Sequence, residues 1–331
     1  MKALVYTGPE SQSYMEVADP VPSEGEVLIR VAHSGICGSD MHAFLGHDER
    51  RPAPLILGHE VAGTVVSGAQ SGRRVTVNPL VSCGVCEACL AGRDNLCANR
   101  QIISMPPREG GFADFLSMPE SNLVTVPDHV TDAQAALAEP IACGWHAVRL
   151  AKQALSGDPA DACALAIGGG AIGLGAALCL KAQGIENVRL IEPNAERARF
   201  LRTTCGMDVL SPDQAEASGL YDIVVDGVGY PATRATASAC VKPGGVIAHI
   251  GLGSAEGGLD IRRITLQEIQ FIGTYTYTAQ DFRDTAAAMF DGRLGALDWV
   301  ESRPLSEGLR AFTDLRAGHV AVPKILLTPD A

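Results

Sequence analysis

The sequence predicts an α/β protein of two domains, a small β-barrel followed by a doubly wound parallel sheet. Three observations predict it. Short alternating apolar segments punctuated by Pro and Gly fill residues 1–80, the pattern of barrel strands and not of βαβ units. From residue 160 onward the rhythm becomes strand, turn, helix, strand, repeated, which builds a parallel sheet. The 331 residues, 47% hydrophobic and 19% charged, supply core for about two domains of the usual ~100–200 residues and exclude a disordered chain.

Charge narrows the function classes. Net charge is −12, from 38 acids against 26 bases, with no basic block, so a nucleic-acid partner is not expected. Ala162 to Leu180 runs 19 residues without a charge, long enough to raise a membrane helix. Its five glycines fit strand, turn and helix instead, and no membrane partner is expected. Met1–Tyr6 reads directly as a strand without a charged-then-apolar leader, so the expectation is a soluble, cytoplasmic chain. Ten cysteines, four of them within 15 positions, point in that setting to metal and not to a disulfide framework.

In chain order, Glu26–Val31, Glu60–Val66 and Gly72–Val77 read as strands. On the loops between them lie Gly35-Ile-Cys-Gly-Ser-Asp-Met-His42 and Gly58-His-Glu60. A thiol, an imidazole and a carboxylate are good zinc ligands, and a catalytic zinc keeps one position open. Taken alone, a buried thiol and a hydrogen-bonded imidazole would explain the pair equally well. Cys83, Cys86, Cys89 and Cys97 follow; four thiolates at that spacing close a tetrahedron around zinc, which makes a structural site. Phe115–Met118 and Leu123–Val126 return to strand, and Thr131 with Gln134 makes a capping box at a helix start. That helix leads into Glu139–Pro140, and a longer helix lies around Trp145–Lys152.

Ala164–Ile167 is a buried strand, and Gly168-Gly-Gly170-Ala171-Ile172-Gly173 opens a helix ending near Gly184, with Val188–Glu192 the next strand. This is the G-x-G-x-x-G fingerprint in its strand–helix setting. The glycines admit a pyrophosphate to the helix N-terminus, and Glu192, 19 residues past Gly173, falls where an acid grips the adenosine ribose. Arg197 lies a turn later. A carboxylate at that place favours NAD over NADP. Strands at Asp222–Asp226, Gly244–Ile250 and Ile269–Gly273, a helix at Asp281–Met289 and a strand at Lys324–Leu327 complete the chain.

Together these motifs resemble the zinc-containing medium-chain dehydrogenases, over nearly the whole chain, and Glu139–Pro140 with Gly144-Trp-His-Ala147 resembles their polyol and threonine branches. The resemblance implies a GroES-like catalytic domain over 1–148 and 287–331, its zinc lobe at about 80–100, and a Rossmann domain over 149–286. It implies two zinc ions: a catalytic one on Cys37, His59 and Glu139, with Glu60 beside it or alternating onto it, and a structural one on Cys83, Cys86, Cys89 and Cys97. Asp40 would orient His59, and Ser39 and His42 match the proton-relay positions. Gly168, Gly170, Ala171, Ile172, Gly173, Glu192, Arg197, Gly251, Thr274 and Tyr275 fall on the cofactor side. The implied reaction is hydride transfer from a secondary alcohol to NAD, the partner a small-molecule polyol or sugar alcohol, the assembly a homodimer or homotetramer.

Two positions depart from the polyol pattern: Ala43 where an aromatic residue is frequent, and Thr276 where several members carry an arginine. Phe44, Leu45 and His47–Arg50 are candidates for the pocket mouth. Amino-alcohol oxidation of the threonine dehydrogenase kind and simple diol oxidation share every motif. A dinucleotide-binding protein without turnover lacks, as a rule, the Cys-His-Glu set and the cysteine lobe. His33, His129, His249 and His319 are assigned ordinary roles, and Cys143, Cys163, Cys179, Cys205 and Cys240 are read as small hydrophobes.

Overall fold

Val27, Ile29 and Val31 are buried while Arg30 between them is exposed, and this alternation makes Glu26–Gly35 the central strand of the first of two units. The structure is a computed structural model that describes residues 1–330. The first unit comprises Met1–Glu139, Val300–Val320 and the chain from Lys324; the second comprises Pro140–Trp299 and Ala321–Pro323.

In the first unit one sheet runs in the order Leu123–Thr125, Arg74–Val77, Glu60–Val65, Glu26–Gly35, Lys324–Thr328, Val300–Pro304, with Phe115–Pro119 also on the central strand. A second sheet has Ser11–Glu16, Lys2–Gly8 and Leu55–Ile56. Val27, Ile29, Val61, Val75, Leu116 and Met118 pack between strands as core. The register of the central strand shifts between Val31 and His33. Such a bulge re-aims the chain beyond it, and here it brings buried Ser34 and Gly35 to the strand end that delivers Cys37.

The second unit holds a parallel sheet in the order Asp208–Leu210, Asn187–Ile191, Cys163–Ile167, Tyr221–Asp226, Val241–His249, Gln270–Gly273. Cys163–Ile167 is buried along nearly its whole length, as strands covered on both faces are. The strand order reverses between Cys163–Ile167 and Tyr221–Asp226, the place where open α/β sheets bind ligands. Gly144 lets the long helix Ala138–Ala154 meet the helix Ala171–Ala182, since a Cβ there would come 2.8 Å from the Ala176 backbone. The charge-free run Ala162–Leu180 is thus strand, turn and helix, and among the described residues no helix is long and apolar enough to cross a membrane.

Two local expectations need correction. Gly38-Ser-Asp-Met-His42 is not loop: Gly38–Phe44 is a helix, begun by extended Cys37, whose N–H donates to the Asp40 carboxylate at 3.0 Å. Glu139–Pro140 does not precede the longer helix but lies in its first turn. Proline is tolerated there because the first-turn amides have no intrahelical partner to lose.

Candidate functional site

Three backbone devices bring the ligand set of the first unit together. The capped helix start holds Cys37. Gly58, at φ 91°, turns the chain beneath Phe112, where any Cβ would strike the ring, and sets His59 at the head of the strand Glu60–Val65. Register then pairs Glu60 with Gly35 across the sheet. A side chain at Gly35 would collide with the Glu60 carboxylate, so this glycine is what admits it.

One ligand atom each from Cys37, His59 and Glu60 lies within 4.8 Å of the others, all three residues at least half-buried. Glu60 Oε2 is buried without a hydrogen-bond partner, an oxygen poised for a cation. Sulfur, imidazole nitrogen and carboxylate are zinc's own donors, so the set fits that metal. Glu139, buried at the start of its helix, is not in the cluster, although its charge reaches Lys324.

Asp40 is completely buried. Its Oδ1 stands 3.3 Å from His59 Nδ1 and accepts from Gly58 N at 3.2 Å, and its Oδ2 accepts from Cys37 N. Burial by itself would raise the Asp40 pKa, but the His59 and Arg51 charges and the amide hold it below the carboxylate range. The far side of the His59 ring, Nε2, is 3.4 Å from Ser39 Oγ. His42, in the last turn of the same helix, is half-buried and edge-on to His47 at 6.4 Å.

Two residues beside the site escape any motif. Ser104, buried at φ 63°, places Oγ 3.4 Å from His59 Nδ1. Arg51, 3% exposed, donates to the carbonyls of Ser104 and Ser39 and to Asp48. No local pattern marks a buried arginine; the six apolar or proline residues that follow it were the one hint of burial. Phe44 does not line a pocket mouth: it is core, packed at a tilt against the Phe312 ring with centroids 5.1 Å apart.

The second candidate metal site is built by the turn around the helix Glu87–Leu90. Sγ separations are 3.5 Å for Cys86–Cys89, 3.5 Å for Cys97–Cys83 and 4.0 Å for Cys83–Cys89. A tetrahedron with ~2.3 Å zinc–sulfur bonds has edges of roughly 3.8 Å, so these four thiols fit zinc with no position left over. The Val85 and Cys86 amides pull the Cys83 thiol down to about 6, toward the thiolate that metal binding needs. Among the described residues no cysteine is in a disulfide.

In the second unit, Gly168 has φ 101°, and a Cβ there would meet the Val228 side chain at 2.4 Å; Gly170 caps the helix Ala171–Ala182 without any side-chain acceptor. The first amides of that helix stay available to an anion. Ala171 and Ile172 open the helix, and Gly173 packs against the Gly168 carbonyl, where a Cβ has no room. Glu192 Oε2 accepts from Gly169 N at 3.0 Å and Oε1 from Asn194 N at 2.7 Å, with Arg197 at 3.7 Å. Gly251 approaches the Val228 backbone closely; Thr274 bonds to the His249 carbonyl, and half-buried Tyr275 follows it.

One buried network in this unit had no sequence signature. His146 Nδ1 lies 2.7 Å from Asp281 Oδ2, and Arg149 grips the same carboxylate at 2.6 and 3.0 Å. Burial raises the Asp281 pKa, but bonds from His146, Arg149 and Thr278 more than reverse this and leave it far below the carboxylate range.

Comparison with known proteins follows the same division. Residues 23–128 match the family described as alcohol dehydrogenase GroES-like domain, and residues 171–291 match zinc-binding dehydrogenase. The chain is 30% identical over 311 residues to L-galactonate-5-dehydrogenase of Escherichia coli K12, covering 89% of each chain. It is 34% identical over 279 residues to sorbitol dehydrogenase of Bacillus subtilis, covering 78% of each. A solved alcohol dehydrogenase of E. coli CFT073, complexed with NADH, superposes with TM-score 0.88 at 25% identity, over 99% of both chains.

Proposed function

The chain belongs to the zinc-binding dehydrogenases with an alcohol dehydrogenase GroES-like domain, and from that premise we propose that it oxidises a secondary alcohol of a polyol or sugar-acid chain with NAD. The observation that carries the proposal is the Cys37–His59–Glu60 cluster with its unpartnered Glu60 oxygen. The relatives named for L-galactonate and sorbitol support the substrate class.

Cys37 and His59 hold the catalytic zinc, with Glu60 or Glu139 completing the protein's share. Zinc there supplies Lewis acidity toward an alcohol oxygen. Asp40 fixes the His59 ring through Nδ1 and so leaves Nε2 for the metal. Ser39 takes the hydroxyl proton as it gives up its own, and His42 delivers the released proton to solvent. Cys83, Cys86, Cys89 and Cys97 hold the structural zinc. Gly168, Gly170 and Gly173 admit the cofactor's pyrophosphate, and Glu192 takes its adenosine ribose. With both Glu192 oxygens engaged by backbone amides, the carboxylate is fixed in place to repel a 2′-phosphate, which supports NAD. Gly251, Thr274 and Tyr275 serve the nicotinamide end. Catalysis is assigned to the first unit and dinucleotide binding to the second.

Ten cysteines with no disulfide among the described residues support a cytoplasmic setting. Gln270–Gly273 ends its sheet with Phe271 exposed, and an uncovered edge strand supports a homodimer or homotetramer. The deciding experiment follows NADH formation over a panel of polyols, aldonates, diols and threonine. Turnover confined to threonine would overturn the polyol reading, and no turnover with any alcohol in protein loaded with two zinc ions would overturn the function.

A further inference from the structure

The cluster in the first unit has a fourth charged member that no motif marks. Lys324 begins the strand Lys324–Thr328, and its ammonium is buried, donating to Glu60 Oε1 at 2.6 Å and to the Ile36 carbonyl at 2.8 Å. Ammonium groups are seldom buried unless paired, and the counter-charge here is the carboxylate that stands with Cys37 and His59. The ladder explains the meeting. Gly35 pairs with Glu60 on one side and with Leu326 on the other, so Glu60 and Lys324 reach toward each other past a residue that has no side chain.

The two oxygens of Glu60 are therefore unequal: Oε1 is engaged by the lysine, while Oε2 is buried and unpartnered. We propose that Lys324 is a positioning residue that sets how far Glu60 enters the metal's coordination, holding one oxygen back so that the position an alcohol needs stays open. This rests on reading Cys37–His59–Glu60 as the catalytic metal site. Removing the ammonium frees the carboxylate and leaves the site one unit more negative; both changes tighten the metal while closing the site. A lysine that merely supports the fold predicts the reverse, a looser metal.

The test loads cobalt(II) into the catalytic site of the full-length protein and follows its visible spectrum and its release to EDTA. In Lys324→Met the spectrum should shift, release should slow by about 10–100-fold, and kcat/KM should fall by a similar factor, the usual scale for residues that orient metal ligands. Lys324→Arg should restore all three, and Lys324→Met/Glu60→Gln should return the spectrum to that of the wild type. If the methionine variant does not fold, Lys324→Gln, which keeps a donor but no charge, carries the same readings. Faster release, an unchanged spectrum, or the same shift in the double variant would overturn the inference. A wild-type protein that takes no cobalt at this site would overturn the parent reading instead.

Discussion

Asp40→Asn separates a carboxylate that orients a metal ligand from one that only caps a helix. The substitution keeps the shape and removes one acceptor and the charge. Asp40 serves three groups: Cys37 N through Oδ2, and Gly58 N and His59 Nδ1 through Oδ1. An amide has one acceptor oxygen. Placed at Oδ1 it keeps two partners and leaves the Cys37 amide facing an N–H; placed at Oδ2 it abandons two. The first arrangement is cheaper and leaves one buried donor unsatisfied, which costs about 1–3 kcal/mol. Loss of the negative charge behind the imidazole adds an effect on the metal of about 10–100-fold in affinity or activity. Chelator competition for zinc, thermal unfolding and kcat/KM measure the three consequences. A variant that lost stability yet kept zinc affinity and kcat/KM would refute the orienting role and leave only the cap.

Three further outcomes are expected. Cys37→Ala should abolish turnover while retaining NADH binding, about one zinc per chain and a near wild-type melting temperature, whereas Cys97→Ala, at a closed site, should melt lower or aggregate; metal analysis with thermal scans compares them, and equal losses in both would contradict the division of roles. Glu192→Ala should narrow the kcat/KM preference for NAD over NADP, and a wild-type protein preferring NADP would already contradict the assignment. Asp281→Asn should destabilise by roughly 1–3 kcal/mol at neutral pH by stranding His146 and Arg149. Because folding depresses the Asp281 pKa, its contribution is full above the unfolded value of about 3.9 and is lost as pH falls through the folded value; acid titration of stability below about pH 4 should therefore be shallower in the variant than in the wild type.

What sequence made legible was what lies close together along the chain. The glycine-rich turn, the four cysteines and the capping box of Thr131 with Gln134 are local patterns whose chemistry follows from spacing, and the structure holds each as a unit. The bulge between Val31 and His33 was not legible, because it is a property of pairing and not of composition. Nor was the helix at Gly38–Phe44: glycine and serine argue for a loop, and the capping bond from Cys37 N to Asp40 outweighs them. Arg51, Ser104, Lys324 and the Asp281 network acquire their meaning from partners 45 to 288 positions away. Burial of a charge is visible once its counter-charge is in place, and single-residue type carries no trace of that partner.

The return of Lys324–Thr328 to the central strand has a temporal side. On the ribosome, Cys37, His59 and Glu60 emerge far ahead of Lys324, by 264 positions in the case of Glu60; at ~5–20 residues per second that is a delay of roughly 13–53 s. During that interval Glu26–Gly35 has its Glu60–Val65 and Phe115–Pro119 neighbours, but Ser34 and Gly35 lack their partners in Lys324–Thr328. An open strand edge of this kind invites pairing with other nascent chains. The oldest part of the polypeptide thus waits for the youngest, and a stop at codon 324 or shortly before it would release a chain that encodes the whole parallel sheet of the second unit but lacks the lysine that meets Glu60.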